Sequence, residues 1–191
     1  PADCETTYVR YKCSTIAGNR MFVGNIEVES KPREFFQDVT LETNFSLPGF
    51  KRRYNDRMVM SGPGQYSIFP YPNNVFDLDI SDGDEIIALA SVGSKVLQFK
   101  RGILYIVDIS SGIPAQFYVD KRLRHKGVEH KNHVCETSEG VFFFNKYGAW
   151  IFDGDEMKNV FVNADEQDKK QQRINPSTWN SFVDSKTMCS F

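Results

Sequence analysis

The chain of 191 residues lacks an excess of charge of either sign. Its 23 lysine and arginine residues are nearly matched by 25 aspartate and glutamate residues, so the formal net charge is −2. Proteins that bind nucleic acid over a broad surface are usually strongly basic. We therefore exclude a strongly basic nucleic-acid binder and a polyanionic tail, and we expect any charged partner to be met by a local patch.

Long apolar runs and a targeting segment are also missing. No stretch approaches the ~18 consecutive apolar residues that a membrane-spanning helix needs, and the N-terminus has no basic region followed by an apolar one. We therefore expect no membrane insertion. The chain begins with Pro1 rather than methionine, which fits either removal of an initiator or a segment of a longer protein.

Cysteine is scarce and scattered. The four cysteines, at positions 4, 13, 135 and 189, include no C-x-x-C pair, and they are too few for a disulfide framework in a chain of this length. We expect free thiols, and a disulfide between Cys4 and Cys13 that closes a short loop stays open.

The sequence motifs of several enzyme classes are absent. There is no G-x-S-x-G elbow, no phosphate-binding loop and no G-x-G-x-x-G, and no spacing singles out a pair of carboxylates for glycoside cleavage. We therefore assign no catalytic residue, no cofactor-binding residue and no metal ligand, and we predict a protein that is not an enzyme.

One cluster raises the question of a zinc site. His125, His130, His133 and Cys135 lie within eleven residues, and imidazole and thiolate groups are zinc ligands. The spacing matches no standard zinc motif, and basic residues that would repel a divalent cation surround the cluster. A solvated basic loop is the preferred interpretation of this region, and metal binding stays open.

An acidic stretch raises the same question for calcium. Its members are Asp77, Asp79, Asp82, Asp84 and Glu85. In an EF-hand loop that begins at Asp77, Asp82 would occupy the required glycine position and Ala88 the final acidic position, so the pattern fails. Turn carboxylates that precede a strand explain most of this stretch, and a looser divalent site stays open.

Aromatic residues are abundant, at 14% of the chain, and they favour strands over helices. Residues 82–119 show four apolar segments separated by turns, at 85–91, 95–100, 103–109 and 115–119. Residues 133–162 repeat the plan at 133–137, 141–145, 149–152 and 159–162. The aromatic runs 142–144 and 150–152 are predicted to form core.

A less regular copy of this plan lies upstream. Segments 19–25 and 56–61 each place an arginine before a short apolar strand, and residues 29–51 look like a loop insertion with a short helix near 33–38. We predict a β-meander region over 1–163 and a polar helical segment over 164–191, with a short helix at 177–183.

These patterns predict an all-β protein of four-stranded antiparallel meanders that resemble propeller blades. Four to eight blades close a propeller, and about three fit in this chain. A partial propeller, a part of one and an ordinary β-sandwich therefore all stay open.

Two basic clusters could contact an anionic partner. The first is Lys51-Arg52-Arg53 with Arg57, next to Phe50 and Tyr54, and the second lies within residues 121–131. Basic residues interleaved with aromatic ones are typical of a nucleic-acid surface. With a net charge of −2, a solvated loop or a salt bridge to a partner is the preferred interpretation.

Several of these segments together resemble structural proteins of tailed bacteriophage particles, the β-propeller-containing components of the tail nozzle or tail-stabilisation type. The resemblance covers roughly residues 19–184, and those proteins are usually several times longer, which indicates that the 191 residues form a segment. The motifs that carry it are Tyr54-Asn55-Asp56-Arg57-Met58, Phe69-Pro70 before Asn73-Asn74, Asp82-Gly83-Asp84-Glu85-Ile86, Leu97-Gln98-Phe99-Lys100, Leu104-Tyr105-Ile106, Gly140-Val141-Phe142-Phe143 and Gly148-Ala149-Trp150-Ile151-Phe152-Asp153-Gly154.

The resemblance implies a non-catalytic virion protein of the tail, assembled in the host cytoplasm into a homo-oligomeric ring. Such a ring lies below the portal and adaptor and surrounds the DNA exit channel, so its partners are other tail, portal or adaptor proteins and genomic DNA is passing cargo. Two other classes stay open from the residues alone: a carbohydrate-binding or glycoside-hydrolysing β-propeller or sandwich, and a host-side protein-interaction propeller.

Overall fold

The computed structural model describes residues 8–30, 50–70, 74–78, 83–161 and 176–183. They form twelve strands, one α-helix and two short 3-10 turns, at Pro114–Gln116 and Lys131–His133. The strands and the helix are β1 (Tyr8–Ala17), β2 (Arg20–Ser30), β3 (Phe50–Met60), β4 (Val75–Asp77), β5 (Ala88–Val92), β6 (Lys95–Phe99), β7 (Ile103–Asp108), β8 (Tyr118–Arg124), β9 (Val134–Thr137), β10 (Gly140–Asn145), β11 (Gly148–Phe152), β12 (Met157–Asn159) and α1 (Pro176–Phe182).

The strands form three antiparallel sheets, each of four strands in chain order. Sheet I contains β1 to β4, sheet II contains β5 to β8, and sheet III contains β9 to β12. The predicted all-β class, built from four-stranded meanders with a short C-terminal helix, is confirmed.

Sheet II lies between the other two, and its strands β5, β6 and β7 are mostly buried on both faces, whereas β8 is mostly exposed. Successive side chains of a strand point to opposite faces, so Val96 of β6 packs against sheet I while its neighbour Leu97 packs against sheet III. A strand of this kind needs apolar residues in an unbroken run, which β7 supplies as Ile-Leu-Tyr-Ile-Val. The two interfaces hold the main cores, with Phe22, Met58 and Tyr105 in the first and Phe99, Phe143 and Phe152 in the second.

The first strands of the three sheets lie side by side. Strand β1 is next to β5, and β5 is next to β9. Adjacent blades of a propeller place their strands in this way around a common axis. The three meanders are therefore stacked with their first strands next to one another.

The outer faces of sheets I and III are also buried. Val23, Ile26 and Val59 are 0–1% exposed on the outer face of sheet I. On sheet III, the ring of Trp179 from α1 packs edge-on against Phe161, with ring centroids 4.7 Å apart. The two end sheets of the stack thus present no bare apolar face among the residues that the structure describes.

Sheet I extends further than the sequence indicated. Strand β1 was not predicted, because it contains no apolar run: the exposed residues Lys12, Ser14 and Ile16 alternate with Cys13, Thr15 and Ala17. Strands β2 and β3 include positions 29–30 and 50–51, so two residues at each end of the insertion predicted near 29–51 belong to strands. The predicted helix near 33–38 lies outside the described residues.

The fourth strands of sheets II and III are displaced from their predicted positions. A 3-10 turn at Pro114–Gln116 occupies the start of predicted strand 115–119, and β8 begins at Tyr118 and runs over charged residues up to Arg124. Strand β12 ends at Asn159, whose side chain accepts a hydrogen bond from the amide of Phe161 at 2.9 Å. Outer strands need few apolar residues and often carry charge, so apolar runs do not locate them.

The C-terminal prediction is confirmed in part. Residues 176–182 form α1, one residue away at each end from the predicted helix at 177–183. The polar segment 164–173 lies outside the described residues. No helix in the described ranges is long and apolar enough to cross a membrane.

Candidate functional site

The most irregular point of sheet I is a bulge between β2 and β3. Gly24 pairs with Met58, but Ile26 pairs with Tyr54, so Asn25 alone lies opposite three residues of β3. Asn25 has a left-handed backbone, with φ at 56°, and is 2% exposed. Asparagine tolerates this conformation better than most residues, and bulges re-aim side chains near functional sites.

The Asn25 side chain connects sheet I to the segment that leads into sheet II. Its Nδ2 donates to Glu85 Oε2 at 2.9 Å and to the Ile86 carbonyl at 3.1 Å, while its Oδ1 accepts from Nε and Nη2 of Arg53 at 3.3 and 3.2 Å. The amide of Ile86 donates to the carbonyl of Asn55, within the bulge, at 2.9 Å. These bonds fix the bulge in one geometry.

Glu85 gathers cations from two sheets. Lys12 Nζ lies 2.8 Å from one carboxylate oxygen and Arg101 Nη2 lies 3.0 Å from the other. The hydrogen bond from Lys12 is the main cause that lowers the pKa of Glu85 from its usual 4.5 to about 2, with further lowering by Arg101 and Asn25. Glu85 is therefore ionised at physiological pH.

A cleft of about 660 Å³ opens beside this network. We call it the bulge cleft; its walls include Arg52, Arg53, Tyr54, Asp56, Asp84 and Arg101. Asp84 Oδ1 accepts from the Glu85 amide at 2.8 Å and Oδ2 accepts from the Gly102 amide at 3.2 Å, so this carboxylate shapes the loop wall. The cleft thus combines basic and acidic side chains on a fixed backbone.

The arginines around the cleft differ in their partners. Arg57 is held by Asp77, with contacts of 2.7–3.0 Å, and lies 4.1 Å from the Tyr54 ring centroid. Arg52 lies 5.0 Å from the same ring. Within the described ranges, no carboxylate forms a salt bridge with Arg52 or Arg53. Two guanidinium charges of the first basic cluster are therefore available to a partner.

A second groove, of about 570 Å³, runs along the first strands of the three sheets. Here Thr15 of β1, Ser91 of β5 and Glu136 of β9 meet. The Thr15 hydroxyl lies 3.0 Å from both the Ser91 hydroxyl and Glu136 Oε1, and the Ser91 amide donates to the same carboxylate oxygen at 2.7 Å. One hydrogen-bonded cluster therefore ties all three sheets together.

Two histidines of the candidate zinc cluster, His130 and His133, have ring centroids 6.0 Å apart, and each histidine of the cluster also has neighbours of its own. The buried His133 ring lies 4.7 Å from Phe144, and the exposed His125 ring lies 5.1 Å from Tyr147. His130 Nδ1 accepts from the Asn132 amide at 3.3 Å, and Cys135 Sγ donates to the Glu136 carbonyl at 3.7 Å. Across the described part of the chain, no three His, Cys, Asp or Glu side chains gather as a metal-binding group.

The described carboxylates of the acidic stretch all bind groups of the protein. Asp77 binds Arg57, Asp84 accepts two backbone amides, and Glu85 binds Lys12 and Arg101. Asp79 and Asp82 lie outside the described residues. The acidic stretch thus supplies turn and ion-pair contacts at the three described positions.

The preferred interpretation of the second basic cluster is a solvated loop or a salt bridge to a partner, and its first part is a strand rather than a loop. Lys121, Arg122 and Arg124 belong to β8. Lys121 Nζ donates to the Asp155 carbonyl at 2.8 Å, and Lys126 Nζ lies 3.5 Å from the Trp150 ring centroid. Burial lowers the pKa of Lys126 to about 8. Lys121 on β8 thus donates to a backbone carbonyl, whereas Lys126 in the segment after β8 packs over an aromatic ring.

Four of the six residues in the aromatic runs are core, as predicted, and Phe142 and Ile151 are half-buried. Phe143 and Phe152 are fully buried, and Phe144 and Trp150 are at most 5% exposed. Cys13 and Cys135 are free thiols, and burial raises the pKa of Cys13 to about 12. Cys4, the other half of the open disulfide, lies outside the described residues, as does Cys189.

Sequence reasoning missed the bulge and the cluster of Thr15, Ser91 and Glu136. A glycine inside a strand pattern often marks a bulge, and Gly24-Asn25 between apolar residues is such a signal. Nothing in the sequence links Thr15 to Glu136, which is 121 residues away.

No protein-family model matches this chain, and no curated protein matches it. The functional conclusion therefore depends on the geometry and on the short motifs described above.

Proposed function

We propose that this protein is a non-catalytic structural component of a virion, a tail or nozzle protein of a tailed bacteriophage. Copies of the chain assemble into a ring around the DNA exit channel and provide contacts for neighbouring tail proteins. The observation that carries the proposal is the stack of three meanders whose first strands are joined by Thr15, Ser91 and Glu136.

Such a stack suits a part that bears load and contacts several neighbours. Strands β5, β6 and β7 of sheet II are mostly buried on both faces, and dense packing makes an interior stiff. The turns between strands lie at the two ends of the sheets, where exposed loops on a rigid scaffold serve as contact points. Most of the motifs from Tyr54 to Gly154 that resemble tail proteins lie in this scaffold and its turns, and Asn73 and Asp82 lie outside the described residues.

The buried outer faces of sheets I and III limit how copies of the chain can contact one another. A blade within a propeller packs both faces against neighbouring blades. In this chain, the outer faces of sheets I and III already carry side chains such as Val23 and Phe144 that are at most 5% exposed. In our proposal, copies meet through loops and strand edges of a completed stack.

The charge of the chain favours DNA as passing cargo over DNA as a ligand. Affinity for nucleic acid comes largely from neutralising phosphates with lysine and arginine. A chain with a net charge of −2 supplies little of this attraction overall. A channel built from it would let the genome pass.

The test is peptide and intact-mass analysis of purified, nuclease-treated particles from the source material. We expect peptides of this sequence in a tail fraction, at a copy number that matches the other tail proteins. A free chain of about 22 kDa, found outside any particle, would overturn the proposal.

Glycan binding and glycan turnover assays separate the proposal from the carbohydrate alternative. We expect neither binding nor turnover. The guanidinium groups of Arg52 and Arg57 lie beside the Tyr54 ring, so little of this ring is open for stacking against a sugar. Turnover that disappears when one acidic residue is replaced, with the fold intact, would show that the protein is an enzyme.

A further inference from the structure

The bulge cleft contains two neighbouring arginines, Arg52 and Arg53, whose charges are matched by no carboxylate among the residues that the structure describes. Arg52 and Arg53 are both exposed. Arg53 donates to a neutral amide oxygen, that of Asn25, and Arg52 lies near the Tyr54 ring. The nearby Arg57, by contrast, already binds Asp77. The structure thus separates one satisfied arginine from two that can bind an anion.

The backbone that carries these arginines is fixed before any partner arrives. Asn25 Oδ1 accepts hydrogen bonds from Nε and Nη2 of Arg53. Asn25 Nδ2 donates to Glu85 and to the Ile86 carbonyl, so the Asn25 side chain is itself fixed. A planar guanidinium held in this way keeps further N–H donors for a carboxylate or phosphate. Binding then costs little side-chain ordering at Arg53.

The cleft also contains acidic groups, and these select among anions. Asp56, Asp84 and Glu85 line the same cleft of about 660 Å³. A nucleic-acid strand brings a closely spaced row of phosphates. Lys12 and Arg101 offset the charge of Glu85, and the other two carboxylates, Asp56 and Asp84, would repel such a row. A partner segment that carries one carboxylate next to a basic side chain matches both the basic and the acidic side chains of the cleft.

We propose that the bulge cleft is a docking site for a partner protein, and that it binds an acidic side chain flanked by a basic one. The acidic side chain of the partner contacts Arg52 and Arg53, and its basic neighbour contacts the acidic wall. The inference rests on charge complementarity in the cleft and does not depend on the virion proposal.

The test is an NMR titration of the full 191-residue chain that follows the side-chain Nε–H signals of its arginines. The probes are a ten-residue peptide of alternating glutamate and lysine, a peptide of the same length with glutamine in place of glutamate, inorganic phosphate, and single-stranded dT10. We expect the Glu-Lys peptide to shift the signals of Arg52 and Arg53, and the glutamine peptide to leave them unchanged.

Three variants locate the binding. Arg52→Gln keeps the Asn25 hydrogen bonds intact, and we expect it to weaken binding of the Glu-Lys peptide about tenfold, which is the scale of one charge-assisted contact. Arg53→Gln tests the second guanidinium, with the thermal transition as a check on folding. Arg124→Gln removes an exposed arginine on β8 and should leave binding unchanged.

Each other outcome contradicts the proposal. Tighter binding of dT10 than of the peptide, lost in Arg52→Gln, would identify a nucleic-acid site. Equal shifts from inorganic phosphate and the peptide would identify a simple anion site, and absence of shifts at millimolar peptide would show that the cleft binds no such segment. A loss of binding in Arg124→Gln equal to that in Arg52→Gln would mean that the peptide binds by general electrostatic attraction and not at the bulge cleft.

Discussion

Replacing Glu85 by glutamine removes the one charge on which Lys12 and Arg101 converge. The pKa of Glu85 is lowered from 4.5 to about 2 in the folded chain, and a shift of that size corresponds to at most about 3 kcal/mol of stability. Because the Glu85 side chain is 21% exposed and its cations are partly solvated, screening reduces this to about 1–2 kcal/mol. We expect Glu85→Gln to lower the free energy of unfolding at pH 6.5 by that amount.

The pH dependence gives the sign of the effect. A carboxylate whose pKa is lower in the folded state stabilises the fold above its unfolded pKa, and the stabilisation disappears as the pH falls through the folded pKa. The difference in unfolding free energy between the parent chain and Glu85→Gln should therefore be full above about pH 5 and fall by roughly half at pH 3. Urea unfolding at pH 6.5, 4 and 3, followed by circular dichroism and tryptophan fluorescence, measures this difference.

The control is Glu139→Gln, which removes an exposed carboxylate in the turn between β9 and β10. We expect it to change the unfolding free energy by less than about 0.5 kcal/mol at every pH. A difference for Glu85→Gln that stays constant between pH 6.5 and pH 3, or that matches the Glu139 control, would refute the ion-pair account of this network.

Three further predictions follow from buried groups. Gln98 is fully buried, and neither polar atom of its amide has a hydrogen-bond partner among the described residues, so Gln98→Met should raise the free energy of unfolding by about 1–2 kcal/mol in urea titration; a lower value would contradict this. A Cβ at Gly127 would overlap the backbone carbonyls of Lys100 and Arg101, so Gly127→Ala should cost more than about 3 kcal/mol or abolish folding. A Cβ at Gly93 would meet no atom within 4 Å, so Gly93→Ala should cost only about 1–2 kcal/mol, which is the cost of its left-handed backbone. Equal costs for Gly93→Ala and Gly127→Ala would refute the predicted overlap at Gly127. Cys13, with a pKa of about 12, should resist iodoacetamide at pH 8 until urea unfolds the chain, as measured by peptide mass analysis, and rapid labelling in the folded state would contradict its burial.

Local sequence signals were sufficient where an apolar run meets a tight turn. The segments 95–100, 103–109, 141–145 and 149–152 lie within about a residue of β6, β7, β10 and β11, because strands buried on both faces need continuous apolar residues. The turns between them are marked by glycine, whose backbone freedom a tight turn requires.

The same signals failed at the edges of the sheets. Strands β1, β8 and β12 lie at sheet edges or carry polar side chains, and their conformation is fixed by the ladder of the neighbouring strand. Pairing of Leu104 with Leu123, for example, positions β8 despite its charged composition.

The sequence by itself determined the all-β class, the meander plan and the burial of the aromatic runs, since each depends on residues close together in the chain. Only the tertiary structure decided which side chains meet. It brought Asn25, Arg53 and Glu85 together at a bulge, and it joined Thr15, Ser91 and Glu136 across three sheets. These contacts depend on how the sheets stack, and stacking is set by the summed packing of many distant side chains, which no short segment of sequence encodes.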